Sequence, residues 1–286
     1  MPVLKPLPHQ NLRPKRLPWA RRMTIAIGLL AQDGVILAAD TEESIPDYLK
    51  RHQGKIMTTE ASISTGIGTI VDYSKGIMAI SGAGDGDYLD SISQDMCAVF
   101  MRSQKKHLLE TKTELQNEMK NFYRDHVIPF TALPSEERPE LALIMAIVRS
   151  SERAVWTTRM NRIKRCFGFG AVGIGAFYAL TMLTRLYKEL DVDTAKILAA
   201  YTMFYVKDHV PGCGKETQIV CLQETSCIRS TLKETREMEG LFADYTVTEN
   251  EIFHSLIAPE ETDARQLSSK LRSLRKRFRR LASKTS

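Results

Sequence analysis

Thr24-Ile25-Ala26-Ile27-Gly28-Leu29-Leu30-Ala31-Gln32-Asp33-Gly34-Val35-Ile36-Leu37-Ala38-Ala39-Asp40 is the stretch that decides the fold of this chain. Thr24 to Leu30 favours a β-strand, Gln32-Asp33-Gly34 is a turn signal, and Val35 to Asp40 is a second apolar strand. Both strands are continuously apolar instead of alternating. A strand wetted on one face alternates, so this hairpin belongs to a sheet covered on both faces.

Downstream, a polar loop runs to Lys55, and residues 56–65 and 76–81 read as short strands joined by a Gly-Thr-rich connection. Residues 88–102 and 109–128 read as helices, with Ile92, Met96, Val99 and Phe100 at spacings of three and four. Leu141 to Val148 and Arg153 to Trp156 form a strand pair. Gly168 to Gly173 leads into a helix at 173–188. Asp191 or Asp193 caps a further helix to Lys207, since either carboxylate accepts from free first-turn N–H groups. Thr217 to Leu222 closes with a strand. Strands, two helices, strands, two helices and strands predict an α+β fold: a four-layer αββα sandwich of two antiparallel sheets flanked by helices.

Charge divides the chain into three. Residues 1–22 hold five prolines and six cations without an acid, and 264–286 hold nine cations without an acid. With a whole-chain charge of +6, these tails leave −9 on residues 23–263. We therefore expect a basic leader over 1–23, one domain over 24–260, and a basic tail over 261–286. An acidic partner would meet the tails before the body. No apolar run nears the roughly 20 residues that span a bilayer, and the leader lacks the apolar centre of a secretory signal. Five cysteines with no CxxC pair suit a reducing compartment, so the expected location is cytoplasmic. The histidines show neither triad nor metal spacing, so no metal and no cofactor is expected.

The order of motifs resembles a proteasome β subunit or its simpler bacterial relative, the ring-forming peptidase partnered by a AAA+ unfoldase. That family opens on a threonine, then a strand, a Gly-containing turn and a strand ending Ala-Ala-Asp or Ala-Ser-Asp. Here Thr24 and Ala38-Ala39-Asp40 match that spacing without a gap, and Lys55-Ile56 lies within one residue of the family's Lys-Ile or Lys-Val pair. Ser81-Gly82-Ala83-Gly84-Asp85 resembles the small-residue strand end before the first long helix. Gly168-Phe169-Gly170 resembles the Gly-Ser-Gly turn before the third helix, and Asp208 falls where the family has an aspartate near the end of the fourth.

The resemblance implies the N-terminal-nucleophile (Ntn) hydrolase fold and a threonine-type endopeptidase. A threonine hydroxyl needs a base, and an N-terminal threonine supplies its own α-amine, whose reference pKa is about 7.7–8.0. A neighbouring lysine favours the alkoxide, and a carboxylate orients that lysine. By resemblance Thr24 is the nucleophile, Lys55 the lysine and Asp40 the carboxylate, with Asp208 in support. Backbone N–H groups around Ser81 and Gly82 would meet the oxyanion and line the substrate groove. Implied partners are copies of this chain in stacked rings, a AAA+ unfoldase and a polypeptide substrate.

Three departures accompany the match. Phe169 and Pro211-Gly212 stand where serines are usual, Glu42 stands where arginine is frequent, and the segment from Lys55 to Gly82 is about a dozen residues longer. Two alternatives follow: a catalytically silent ring or scaffold protein, and a small-molecule amidase of the same fold. Thr24 becomes N-terminal either by self-cleavage after Met23 or through initiation at Met23 followed by methionine removal. The second route is the better fit, because Met23 is not the glycine that family propeptides end on.

In the tail, Leu267, Leu271, Leu274, Phe278 and Leu281 line one helical face among basic residues. The expected use is docking on an acidic protein surface, with nucleic acid or an anionic membrane as the other candidates.

Overall fold

A computed structural model describes residues 24–45, 49–52, 54–59, 62–65, 68–71, 76–132, 140–257 and 264–283. The expected leader over 1–23 lies outside the described residues. Strands β1 (Ile25–Leu30), β2 (Val35–Asp40), β12 (Phe169–Gly173), β13 (Thr217–Gln223) and β14 (Ser226–Arg229) form one five-stranded sheet in the order β12-β1-β2-β13-β14. Strands β5 (Met57–Thr58), β8 (Ile77–Gly84), β9 (Leu141–Arg149), β10 (Glu152–Arg159) and β11 (Arg162–Cys166) form the second, ordered β11-β10-β9-β8-β5. Every pairing is antiparallel.

Side-chain alternation explains why the strands read as unbroken apolar runs. From β1 and β2, Ile25, Ile27, Leu29, Ile36 and Ala38 face one way, into a cluster with α3 (Ala176–Leu186), α4 (Val192–His209) and α5 (Leu232–Ile257). Ala26, Val35, Leu37 and Ala39 face the other way, against Ala79, Ile144, Ala146 and Val155 of the second sheet. On that sheet's outer face, Leu143, Met145 and Ile147 pack on α1 (Gly86–Arg102) and α2 (Leu108–Phe122). Three apolar layers thus separate four layers of structure, the αββα sandwich expected from the sequence.

Several elements differ from expectation. The stretch to Lys55 contains a small hairpin, β3 (Glu42–Ile45) with β4 (Leu49–His52). The strand expected over 56–65 is divided into β5 and β6 (Ser62–Thr65), and β6 pairs with β7 (Gly68–Val71). That second hairpin lies in the segment already noted as long. The helix expected to reach residue 128 ends at Phe122 and passes into a π turn (Tyr123–Val127) and a 3-10 turn (Ile128–Phe130). Helix α5 was not anticipated, although its start carries a capping box: Glu234 N donates to Thr231 Oγ1 at 3.2 Å, and Thr231 N donates to Glu234 Oε2 at 2.7 Å.

The two ends of the sandwich are built differently. Arg149, at the end of β9, is buried. Its Nη1 donates to the carbonyls of Ser103 and Lys106 at 3.0 and 2.9 Å and to Thr111 Oγ1 at 2.7 Å, and its guanidinium lies 4.4 Å from the Phe100 ring centre. One cation thereby closes the corner between α1 and α2. Charges gather at the opposite end in another way.

Candidate active site

The start of β1 and the end of β2 are brought together by the hairpin register, in which Ala26 pairs with Ala39. Thr24 and Asp40 therefore meet side by side, both buried at 5% and 0% exposure. Thr24 Oγ1 donates to Asp40 Oδ1, and the same carboxylate oxygen accepts from Ile25 N at 3.2 Å. Asp40 Oδ2 accepts from Gly214 N at 3.0 Å. Both carboxylate oxygens are thus held, which is what a buried acid requires.

Lys55 completes the cluster. Its ammonium donates to Thr24 Oγ1, to Asp40 Oδ1 at 2.9 Å and to the Glu42 carbonyl. Three acceptors match the three donors of an ammonium. The lysine is positioned from behind by its own N–H, which donates to Gln218 Oε1 on β13 at 2.9 Å. Its side chain is 14% exposed, so solvent reaches the site from the Lys55 side.

Two glycines allow this packing. Gly173 has φ +101°, and a Cβ there would lie 2.2 Å from the Thr24 carbonyl oxygen and 3.2 Å from Ala83 Cβ. A Cβ on Gly214 would lie 2.3 Å from Glu42 Oε2. The first position excludes side chains on backbone grounds. The second leaves room for the Glu42 carboxylate beside the Asp40 contact.

Ser81 and Gly82 lie near the end of β8, which reaches the Gly173 turn through Ala83. Ser81 Oγ is buried with no hydrogen-bond partner among the described residues. Strand β5 pairs with β8 only at Ala79 and Ile80, so from Ser81 onward the ladder continues on the β9 side alone among the described residues. In an antiparallel strand, alternate N–H groups there point away from β9.

Other sequence expectations need correction. Asp208 is not brought to the cluster: it lies in the last turn of α4, is 71% exposed, and faces His209 Nδ1 at 3.7 Å. Gly168-Phe169-Gly170 is at the wrong end of β12, since Phe169 pairs with Leu29 while Gly173 pairs with Ile25. The turn beside Thr24 is therefore Gly173-Ile174-Gly175. Likewise Cys213-Gly214, and not Pro211-Gly212, reaches the site. The buried Cys213 thiol accepts a backbone hydrogen bond from Gly175. Burial pushes its pKa up to about 12, reinforced by the nearby Asp40 carboxylate and opposed by Lys55. Gly-x-Gly recurring within a few residues, followed by Cys-Gly after α4, was the available signal. Only strand register selects the correct copy.

A cavity of about 1120 Å³ lies at the other end of the sandwich, bordered by Leu30, Leu109, Trp156, Phe167 and Tyr187. Its lining includes Ser151, Cys166, Lys112 and Glu152, but no hydrogen bond joins any two of them among the described residues, so volume does not mark the chemistry here. No group of three or more His, Cys, Asp or Glu residues with metal-binding geometry occurs among the described residues.

No family model matches the chain, and no curated protein matches it. Solved structures do. An Anbu (Gly-1) mutant from Hyphomicrobium sp. strain MC1 aligns with TM-score 0.63 and 10% identity, covering 84% of this chain and 100% of that one. Anbu (ancestral beta-subunit) from Yersinia bercovieri aligns with TM-score 0.61 and 10% identity, covering 79% and 95%. A structure titled as the helical assembly of the Anbu complex from Pseudomonas aeruginosa aligns with TM-score 0.60 and 10% identity, covering 81% and 96%. These neighbours correct the resemblance drawn from the sequence. They are Anbu proteins, proteasome-like but distinct from the proteasome β subunits and the bacterial ring peptidase. At 10% identity the likeness establishes the fold, a proteasome-like αββα sandwich.

Proposed function

We propose that this protein is an Ntn hydrolase of the threonine-peptidase type, with Thr24 as nucleophile once its α-amine is free. The observation that carries the reading is the convergence of Thr24 Oγ1, Lys55 Nζ and Asp40 Oδ1 in one buried cluster. In the proposed reaction the Thr24 hydroxyl passes its proton to its own α-amine while Oγ1 bonds to the substrate carbonyl carbon. Lys55 stabilises the developing alkoxide, and Asp40 with the Glu42 carbonyl holds Lys55 in place. The amine then returns its proton to the leaving nitrogen as the peptide C–N bond breaks. Water, deprotonated by the same amine, cleaves the acyl-threonine ester. The β8 edge from Ser81 supplies candidate N–H groups for an extended peptide and for the oxyanion.

Self-assembly fits the surface. Helix α3 exposes Phe177 at 75%, with Tyr178 and Leu180 also exposed, more apolar surface than a lone helix keeps in water. The Pseudomonas aeruginosa neighbour is described as a helical assembly. We propose a homo-oligomer for this chain too, in the cytoplasm, where its five free thiols would stay reduced. No helix among the described residues is long and apolar enough to cross a membrane.

A catalytically silent oligomer is the second reading, favoured by Ile174 and Cys213 standing beside Thr24 where neither side chain offers a hydroxyl. Peptide hydrolysis by a chain started at Met23, against its Thr24→Ala variant, decides between them. The peptidase reading expects turnover that falls by at least about 10³-fold in the variant. No turnover in either would favour the silent reading, and equal turnover in both would take the chemistry away from Thr24.

A further inference from the structure

Helix α6 (Ala264–Ser283) belongs to no part of the proposed chemistry, yet it carries the largest net charge of any described helix. Most of its apolar face is already used. Leu274 is buried, Phe278 packs on Phe242 and Tyr245 of α5, and Leu281 joins the α3–α4–α5 cluster. Ion pairs fix the flanks: Lys270 with Glu251 at 2.6 Å, and Arg277 with Asp244. The acidic body therefore holds the helix in cis, as the charge division of the sequence suggested, and leaves the opposite face outward.

That outward face has a definite pattern. Arg272, Arg275, Lys276 and Arg279 stand at i, i+3, i+4 and i+7, so they form one stripe. All four are exposed. Unlike Lys270 and Arg277, none makes a hydrogen bond or ion pair with the described chain. The four span seven residue steps, a cationic ridge about 10 Å long at 1.5 Å rise per residue.

From this face we infer that the protein binds the phosphate backbone of nucleic acid, independently of base sequence, through the outer stripe of α6. A membrane-surface helix must insert an apolar face, and here most of that face is packed on the protein, with Leu271 left 40% exposed. A protein partner would look for apolar or aromatic anchors at the centre of its footprint, and the stripe contains none. A polyphosphate chain needs only a row of cations, and guanidinium groups meet phosphate oxygens in a bidentate fork. Because the helix is docked before binding, its backbone is already ordered when the phosphates arrive.

Fluorescence anisotropy with a labelled 20-base-pair DNA duplex and a labelled single-stranded RNA, titrated with the full chain between 50 and 300 mM salt, tests this. We expect binding whose logarithm falls linearly with the logarithm of salt. In a chain carrying R272Q, R275Q, K276Q and R279Q, affinity at the lowest salt should drop at least about tenfold, and the duplex salt slope should become shallower by about three to four. Single substitutions R272Q and R275Q should each flatten it by about one, which keeps the test sound if the quadruple variant folds poorly. Three results would overturn the inference. The first is no binding of wild-type protein to either probe at 50 mM salt. The second is a quadruple variant that binds both probes as wild type does, which would assign the affinity to cations outside the stripe. The third is a salt-sensitive self-association in sedimentation, or capture by phosphatidylserine vesicles in flotation, that the substitutions abolish while nucleic-acid affinity stays unchanged.

Discussion

Two cations, Arg149 buried and Lys55 partly buried, lie near opposite ends of β8, and they show how surroundings decide what a charge does. Arg149, beside the strand's first residues, is enclosed by backbone carbonyls, the Thr111 hydroxyl and an aromatic face, with no hydrogen bond to a carboxylate. Burial depresses its pKa, and the guanidinium is still a cation at any ordinary pH. Such a group satisfies carbonyls and fixes a corner. Lys55, near the strand's last residues, is enclosed by a hydroxyl, a carboxylate and one carbonyl, and is partly open to solvent. One cation is placed to hold a fold together. The other is placed against the hydroxyl that is proposed to react.

Paired substitutions can break this comparison. Lys55→Met should lower peptide turnover per folded molecule by roughly 10²–10³-fold, the scale of losing one electrostatic stabiliser of the developing oxyanion, on top of a stability loss from leaving the buried Asp40 carboxylate without its cation. Arg149→Met should act on stability alone. It strands the carbonyls of Ser103 and Lys106 and should cost about 2–4 kcal/mol of stability, with turnover per folded molecule unchanged. Kinetics and thermal unfolding on both variants check the pair, and a turnover loss in Arg149→Met as large as in Lys55→Met would erase the distinction.

Gly173→Ala sharpens the same contrast from the backbone side. The positive φ and the 2.2 Å approach to the Thr24 carbonyl mean the methyl must displace the strand that carries Thr24. We expect a stability loss of about 1–3 kcal/mol with an activity loss beyond what unfolding explains. Chemical denaturation followed by assay in the folded range separates the two effects.

The smallest expected effect concerns the thiols. Burial pushes Cys97, Cys213 and Cys221 from 9.0 up to about 12. Between those values the folded chain holds protons that the unfolded chain releases. This contribution to stability is therefore intact below pH 9 and declines as pH rises toward 12. Replacing Cys213 by serine should flatten the alkaline side of a stability–pH curve slightly, while iodoacetamide at pH 8 should leave Cys213 of the folded wild type unmodified.

What the sequence made legible follows the same physics. Hydrophobic runs of the length and continuity of 24–30, 35–40 and 141–148 have few uses other than strands covered twice, so the sandwich could be read directly. The Thr24–Asp40 pairing was legible because a hairpin turn fixes its own register. Sites assembled from remote segments were not. The choice between Gly168-Phe169-Gly170 and Gly173-Ile174-Gly175 depends on how β12 pairs with β1, which neither segment encodes alone. Cys213-Gly214 is brought in by the chain's path out of α4, while Asp208, only five residues earlier, stays on the exposed side of that helix. The resemblance reached the fold correctly and the family incorrectly, since fold-level features persist among neighbours at 10% identity.

The account rests on Thr24 as a free N-terminal nucleophile. Intact-mass spectrometry of the purified protein, before and after incubation with a β-lactone, measures both parts of that claim together. The account predicts a chain beginning at Thr24 that gains one covalent adduct, mapped to Thr24 and missing in Thr24→Ala. A chain beginning at Thr24 that gains none, or an adduct that persists in Thr24→Ala, would contradict it.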